Sequence, residues 1–111
     1  TFDAANNFQI FFGMNKNTPH CKLPVIQSLV VAGKVRATLS ALTGGAELGL
    51  SFIDIVEVIL SLSPADFYKS MTTHADHRIW QDVYRPTIST GAVYLKLTVI
   101  DDVLIVSFKE L

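Results

Sequence analysis

The residues of this chain best suited to chemistry lie near its C-terminus. Two runs rich in β-formers, 92–100 and 103–110, flank Asp101-Asp102, which is the pattern of a short hairpin. With the two aspartates as a two-residue loop, Ile100 pairs with Val103, Thr98 with Ile105, Lys96 with Ser107 and Tyr94 with Lys109. Opposed side chains sit ~4.5–5.5 Å apart at Cβ. One face therefore gathers Tyr94, Lys96, Ser107 and Lys109 at its far end. The other face carries Val93, Leu95, Leu97 and Val99 against Leu104, Val106 and Phe108, and reads as the core side. A slip of one residue would drive the lysines into that core. A third strand over 79–85 is expected to pair antiparallel with 92 onward. With Arg85 opposite Ala92, Gln81 falls opposite Lys96 on the polar face. Such a face suits an anionic ligand with planar bases. Lysines neutralise phosphate, and tyrosine stacks on a base or exchanges a proton. An ordinary solvated sheet face has similar residues and stays the alternative here.

The elements that must hold this face come earlier. Thr18-Pro19 and Gly33 bracket a helix, whose regular part starts near Leu23 because Pro24 fits only the first turn. Leu23, Ile26, Leu29 and Val30 recur at helical spacing and face the core. Residues 34–38 read as a short strand or an extended connector, and 38–50 as a helical segment interrupted at Gly44-Gly45. Ser51-Phe52-Ile53-Asp54 is a capping box opening a helix that buries Phe52, Val56, Ile59 and Leu60. Ser63-Pro64-Ala65-Asp66 repeats the signal, predicting a further helix over 64–71. Helices followed by an antiparallel sheet make an α+β domain over 14–111. Residues 1–13 precede Met14, hold no Lys or Arg, and read as a leader or vector-derived extension.

Composition narrows the classes. The 111 residues are 50% hydrophobic, which supports one folded domain and excludes intrinsic disorder. No apolar run reaches the ~18 residues that a membrane span needs. One cysteine, Cys21, precludes an internal disulfide and fits a reducing cytoplasm. A net charge of −1 argues against nucleic acid at first sight, yet the charges are segregated. Residues 14–38 carry Lys16, Lys22, Lys34 and Arg36 without an acid, and 39–66 carry Glu47, Asp54, Glu57 and Asp66 without a base. His74-x-Asp76-His77 has no second ligand set to make a metal centre, so no metal or cofactor is expected. Cys21 beside His20 lacks an orienting acid, and Gly44-Gly45 lacks the flanks of a phosphate loop.

Longer stretches carry a family likeness. The run Asp66-Phe67-Tyr68-Lys69-Ser70-Met71-Thr72-Thr73, then Asp76-His77 and Ile79-Trp80-Gln81-Asp82-Val83-Tyr84-Arg85-Pro86, resembles the MqsR family of mRNA interferase toxins. Gly91, Val93-Tyr94-Leu95-Lys96 and the segment 102–110 continue the resemblance, as do Thr18-Pro19-His20 and Ala32-Gly33-x-Val35-Arg36. His74, Ala75, Leu111 and the Gly44-Gly45 region depart from the pattern. The resemblance implies a RelE-like fold, with N-terminal helices packed on a C-terminal antiparallel sheet. It also implies cleavage of single-stranded mRNA at GCU-type triplets. The implied partner is a cognate antitoxin that binds DNA and represses its own operon, with a toxin homodimer as one arrangement inside the complex. Family active-site residues carry over as Lys69, Gln81, Tyr94 and Lys109.

RNA can be cut without metal when its own 2′-hydroxyl attacks the adjacent phosphorus. The step needs a proton acceptor, cations for the phosphorane and an acid for the 5′-oxygen. Lys69, Lys96, Lys109 and Arg85 supply cations, and Tyr94 a proton or a stacking ring. Gln81 can orient phosphate or read a base edge, and His77 titrates near neutrality. Lys96, Arg85 and His77 are expected to bind substrate. The rival reading is a non-catalytic regulatory module acting through an antitoxin-like protein. Convergence of Lys69, Tyr94 and Lys109 around one phosphate-sized space would separate the two.

Overall fold

The computed structural model describes residues 14–111. The leader or vector-derived extension assigned to 1–13 lies outside the described residues. The chain runs β1 (Asn15–Lys16), α1 (Leu23–Val31), β2 (Val35–Ala37), α2 (Leu39–Glu47), α3 (Phe52–Leu60), a 3₁₀ turn (Pro64–Asp66), β3 (Phe67–Thr72), β4 (Trp80–Tyr84), β5 (Thr87–Ile88), β6 (Gly91–Ile100) and β7 (Asp102–Glu110). This is the α+β order that the sequence predicts. The sheet order is β1-β3-β4-β6-β7-β2, with β5 set against β6. Only β2 runs parallel to its neighbour, β7; the other pairs are antiparallel. The helices cover one sheet face, where Ile26, Ile55, Ile59, Leu95, Leu97, Ile105 and Phe108 form the buried core. No helix among the described residues is long and apolar enough to cross a membrane.

Local chemistry explains the helices. Pro24 sits in the first turn of α1, and Gly33 beyond its end takes φ +79°, a conformation that costs glycine little. Ser51 and Asp54 close the capping box of α3 reciprocally. The buried stripe of α3 is Ile55 and Ile59; Phe52 and Val56 pack partly, and Leu60, expected inside, is exposed. The predicted break at Gly44-Gly45 does not occur: α2 is continuous through both. The two glycines instead let the helix lie directly on β7 and α3, since a Cβ at Gly44 would strike the Phe108 carbonyl and one at Gly45 would reach Ile55 Cδ1 at 2.6 Å.

The predicted helix over 64–71 is not there. Its capping signal opens only the 3₁₀ turn, and 67–72 is strand β3. The helical reading failed because the positions of β3 that face inward are polar. Ser70 and Thr72 are buried, and each has a partner. Ser70 Oγ donates to Asp82 Oδ1 at 2.6 Å, and Thr72 Oγ1 accepts from the Met14 backbone N–H at 2.7 Å.

The C-terminal hairpin keeps the predicted pairs at its far end, Tyr94 with Lys109 and Lys96 with Ser107. Near the turn it differs. Asp101 alone makes the turn, at φ +66°, so Ile100 pairs with Asp102 and Leu97 with Ile105. A bulge at Val106 absorbs the extra residue. Thr38 holds that bulge: its hydroxyl donates to the Val106 carbonyl at 2.8 Å while capping α2 through Ala41 N–H. Turnward of the bulge, Val103 and Ile105 are therefore buried, and Leu104 and Val106, expected inside, are not.

Candidate active site

The sheet face turned away from the helices holds the reactive side chains, in cross-strand rows set by pairing. Asn15, Met71 and Gln81 align across β1, β3 and β4. Lys69, Val83, Lys96 and Ser107 align across β3, β4, β6 and β7. Tyr94 and Lys109 form the next row, and Arg85 follows Tyr84 out of β4 onto the same side. The β4–β6 register is two residues off the expected one, with Val83 rather than Gln81 opposite Lys96. A two-residue shift preserves the face, so Gln81 still lines a cleft with Lys96. Val83 is fully buried yet lies outside the helix-side core. Lys69 and Lys96 are its neighbours in the row.

Tyr68 was not expected to take part. A bulge between Phe67 and Lys69 sets its ring within the cluster, 4.1 Å from the Arg85 guanidinium and 5.4 Å from Lys69 Nζ. The Tyr94 ring carries Lys109 Nζ at 5.2 Å and Lys96 Nζ at 6.0 Å. Lys69, Arg85, Lys96 and Lys109 thus surround two phenols. The ion pairs among the described residues, Arg36–Asp102 and Arg78–Asp76, involve none of these four cations. Burial, then the nearby charges of Lys109 and Lys69, pull the Lys96 ammonium below the ordinary lysine range. Burial, then Tyr68, pushes the Tyr94 hydroxyl above the ordinary phenol range. The two environments drive an amine and a phenol in opposite senses.

The cleft beside these rows has a volume of about 280 Å³ and is lined by Asn15, Met71, Gln81, Lys96 and His74, with Thr72 and Thr73 at its wall. His74 is the histidine at the cleft. His77 is exposed on the same 73–79 loop and is not part of the lining.

On the opposite side of β4, Asp82 braces the site. It is buried, and its carboxylate accepts from Ser70 Oγ and from the backbone N–H groups of His20 and Cys21, at 2.9 and 3.0 Å for the latter two. These bonds tie the 17–22 loop to the strand that presents Gln81 and Val83. Sequence reasoning missed Tyr68, Met71 and Asp82 as parts of the site. The signal for the first two was the β-former content of 67–72, overridden by the capping motif before it.

Comparison with known proteins gives a family and a relative. The family model described as "Motility quorum-sensing regulator, toxin of MqsA" matches residues 18–110. The chain is 63% identical over 97 residues to the mRNA interferase toxin MqsR of Escherichia coli (strain K12), covering 87% of this chain and 99% of that relative.

Proposed function

The chain belongs to the MqsR toxin family, and from that premise we propose that it is the toxin of a toxin–antitoxin pair, an endoribonuclease that cleaves mRNA at GCU-like sites without a metal. The observation that carries the reading is the set of four cations around Tyr68 and Tyr94, in which the proton affinities of Lys96 and Tyr94 are displaced in opposite directions. In this mechanism neutral Lys96 accepts the 2′ proton. The 2′-oxygen bonds to phosphorus, the bond to the 5′-oxygen breaks, and Tyr94 protonates the departing oxygen. Lys69, Lys109 and Arg85 stabilise the phosphorane charge. Gln81 orients the phosphate or reads a base, and His77 meets RNA running beyond the cleft. The products are a 2′,3′-cyclic phosphate and a 5′-hydroxyl.

The protein partner this reading calls for is a cognate DNA-binding antitoxin, with action in the cytoplasm, where mRNA is met. The test is incubation with a defined RNA containing GCU sites in excess chelator, with fragment ends mapped. Cleavage to cyclic-phosphate ends is expected, and Tyr94→Phe is expected to lose ~10²–10⁴-fold in rate while melting like the wild type. Full cleavage by Tyr94→Phe would remove the proton-transfer role. Intact RNA alongside retained antitoxin binding would sink the enzyme reading in favour of a binding module.

A further inference from the structure

The cleft at the Asn15–Met71–Gln81 row is too small for a drug-sized ligand, whose pockets run ~300–1,000 Å³, and it adjoins the cations through Lys96. Its polar groups are of two kinds. The threonine hydroxyls at its wall are spent internally: Thr72 Oγ1 accepts from Met14 N–H, and Thr73 Oγ1 donates to the Asp76 carbonyl and accepts from Asp76 N–H. The side-chain amides of Asn15 and Gln81 make no hydrogen bond among the described residues, and each offers a donor and an acceptor. Lys96 adds N–H donors, which its neutral amine keeps. Met71, between the two amides in the row, supplies a polarisable apolar surface of the kind that aromatic rings favour.

A planar heterocycle with an edge of donors and acceptors meets all of these at once. We infer that this cleft is a specificity subsite for one unstacked, carbonyl-bearing nucleobase next to the scissile phosphate. The inference rests on the ribonuclease reading above and assigns the base-reading role to Asn15, Met71 and the Gln81 amide. Lys96 Nζ sets the preference. Its N–H groups, two of which remain when the neutral amine turns its lone pair to the 2′-hydroxyl, can donate to a carbonyl oxygen of guanine, uracil or cytosine, whereas adenine has no carbonyl. Extruded bases are read in this manner, by edge hydrogen bonds and apolar contact, because a single strand can splay them out.

The experiment measures kcat/KM on RNAs in which each nucleotide around the cut is replaced in turn by an abasic unit or by adenosine. The wild type is expected to lose about tenfold or more at one position for either replacement. Met71→Ala and Asn15→Ala should cut the parent RNA more slowly and lose most of that discrimination at the same position. Asn15 is exposed, so its variant decides the matter if Met71→Ala fails to fold. Unchanged discrimination at every position in a variant that melts like the wild type overturns the subsite, as does a wild type indifferent to all replacements. A wild type that cuts none of the RNAs overturns the nuclease reading itself, and the subsite with it.

Discussion

Partial burial, then two lysine neighbours, make the Lys96 ammonium easier to deprotonate than a solvated one. If its neutral form accepts the 2′ proton, cleavage rises with pH through the lowered Lys96 pKa and then levels. Lys109→Ala removes one neighbouring positive charge, which stabilises the ammonium and raises that pKa. The rising limb of the kcat/KM–pH profile should therefore move to higher pH, besides falling in height. An unmoved limb would show that another group sets it. Tyr94, shifted upward, keeps its proton over the same range and remains an acid. Asp82 makes a different kind of prediction. Asp82→Ala orphans the His20 and Cys21 N–H groups and leaves the buried Ser70 hydroxyl only its longer 3.4 Å bond to the Gln81 carbonyl, and should cost about 2–3 kcal/mol in urea unfolding. Lys69 lay in a segment that read as helix and came only from the family likeness, whereas Tyr94, Lys96 and Lys109 were legible in the sequence because alternation puts them on one face. Asp82 was not, because its partners are 12 to 62 residues away.

Helix α2 and strand β7 touch so closely that side-chain volume decides the contact. Gly44→Ala would press a Cβ against the Phe108 carbonyl, which is backbone and cannot rotate away. A loss of about 2–3 kcal/mol is expected in the urea midpoint at constant m, together with reduced cleavage, because Lys109 follows Phe108 in the displaced strand. Gly45→Ala should cost less, since the side chain it meets, Ile55, can change rotamer. From sequence, Gly44-Gly45 read as a helix breaker; glycine propensity is a local quantity, and the close approach of β7 is not. The same distinction explains β3. A capping motif is visible within four residues, whereas the sheet that claims 67–72 is assembled from β1 and β4.

The whole molecule carries a net charge of −1, yet the site face gathers Lys69, Arg85, Lys96 and Lys109. Such a surface binds RNA through few phosphates. For a single strand blocked at the cleaved 2′-hydroxyl, log Kobs against log salt should have a slope no steeper than about −3, measurable by fluorescence anisotropy. A much steeper slope would require basic surface beyond this face. The acids Asp54 and Glu57 lie on α3, on the helical side of the sheet, where salt screens the repulsion they exert on RNA, while Glu47 on α2 lines a groove with Ser107 and Lys109.

By itself the sequence determined the α+β order, the capped start of α3 and the pairing of Tyr94 with Lys109. Those follow from periodicity, caps and strand alternation, all of which are short-range. It also carried the family likeness that assigned Lys69 and Gln81. Tertiary structure alone decided that 67–72 is a strand and that a bulge held by Thr38 turns Val103 and Ile105 inward. It alone set Tyr68 among the cations and assembled a cleft from β1, β3, β4 and β6. Each of these depends on hydrogen bonds or contacts between distant segments, and no local pattern encodes which distant partner will be there.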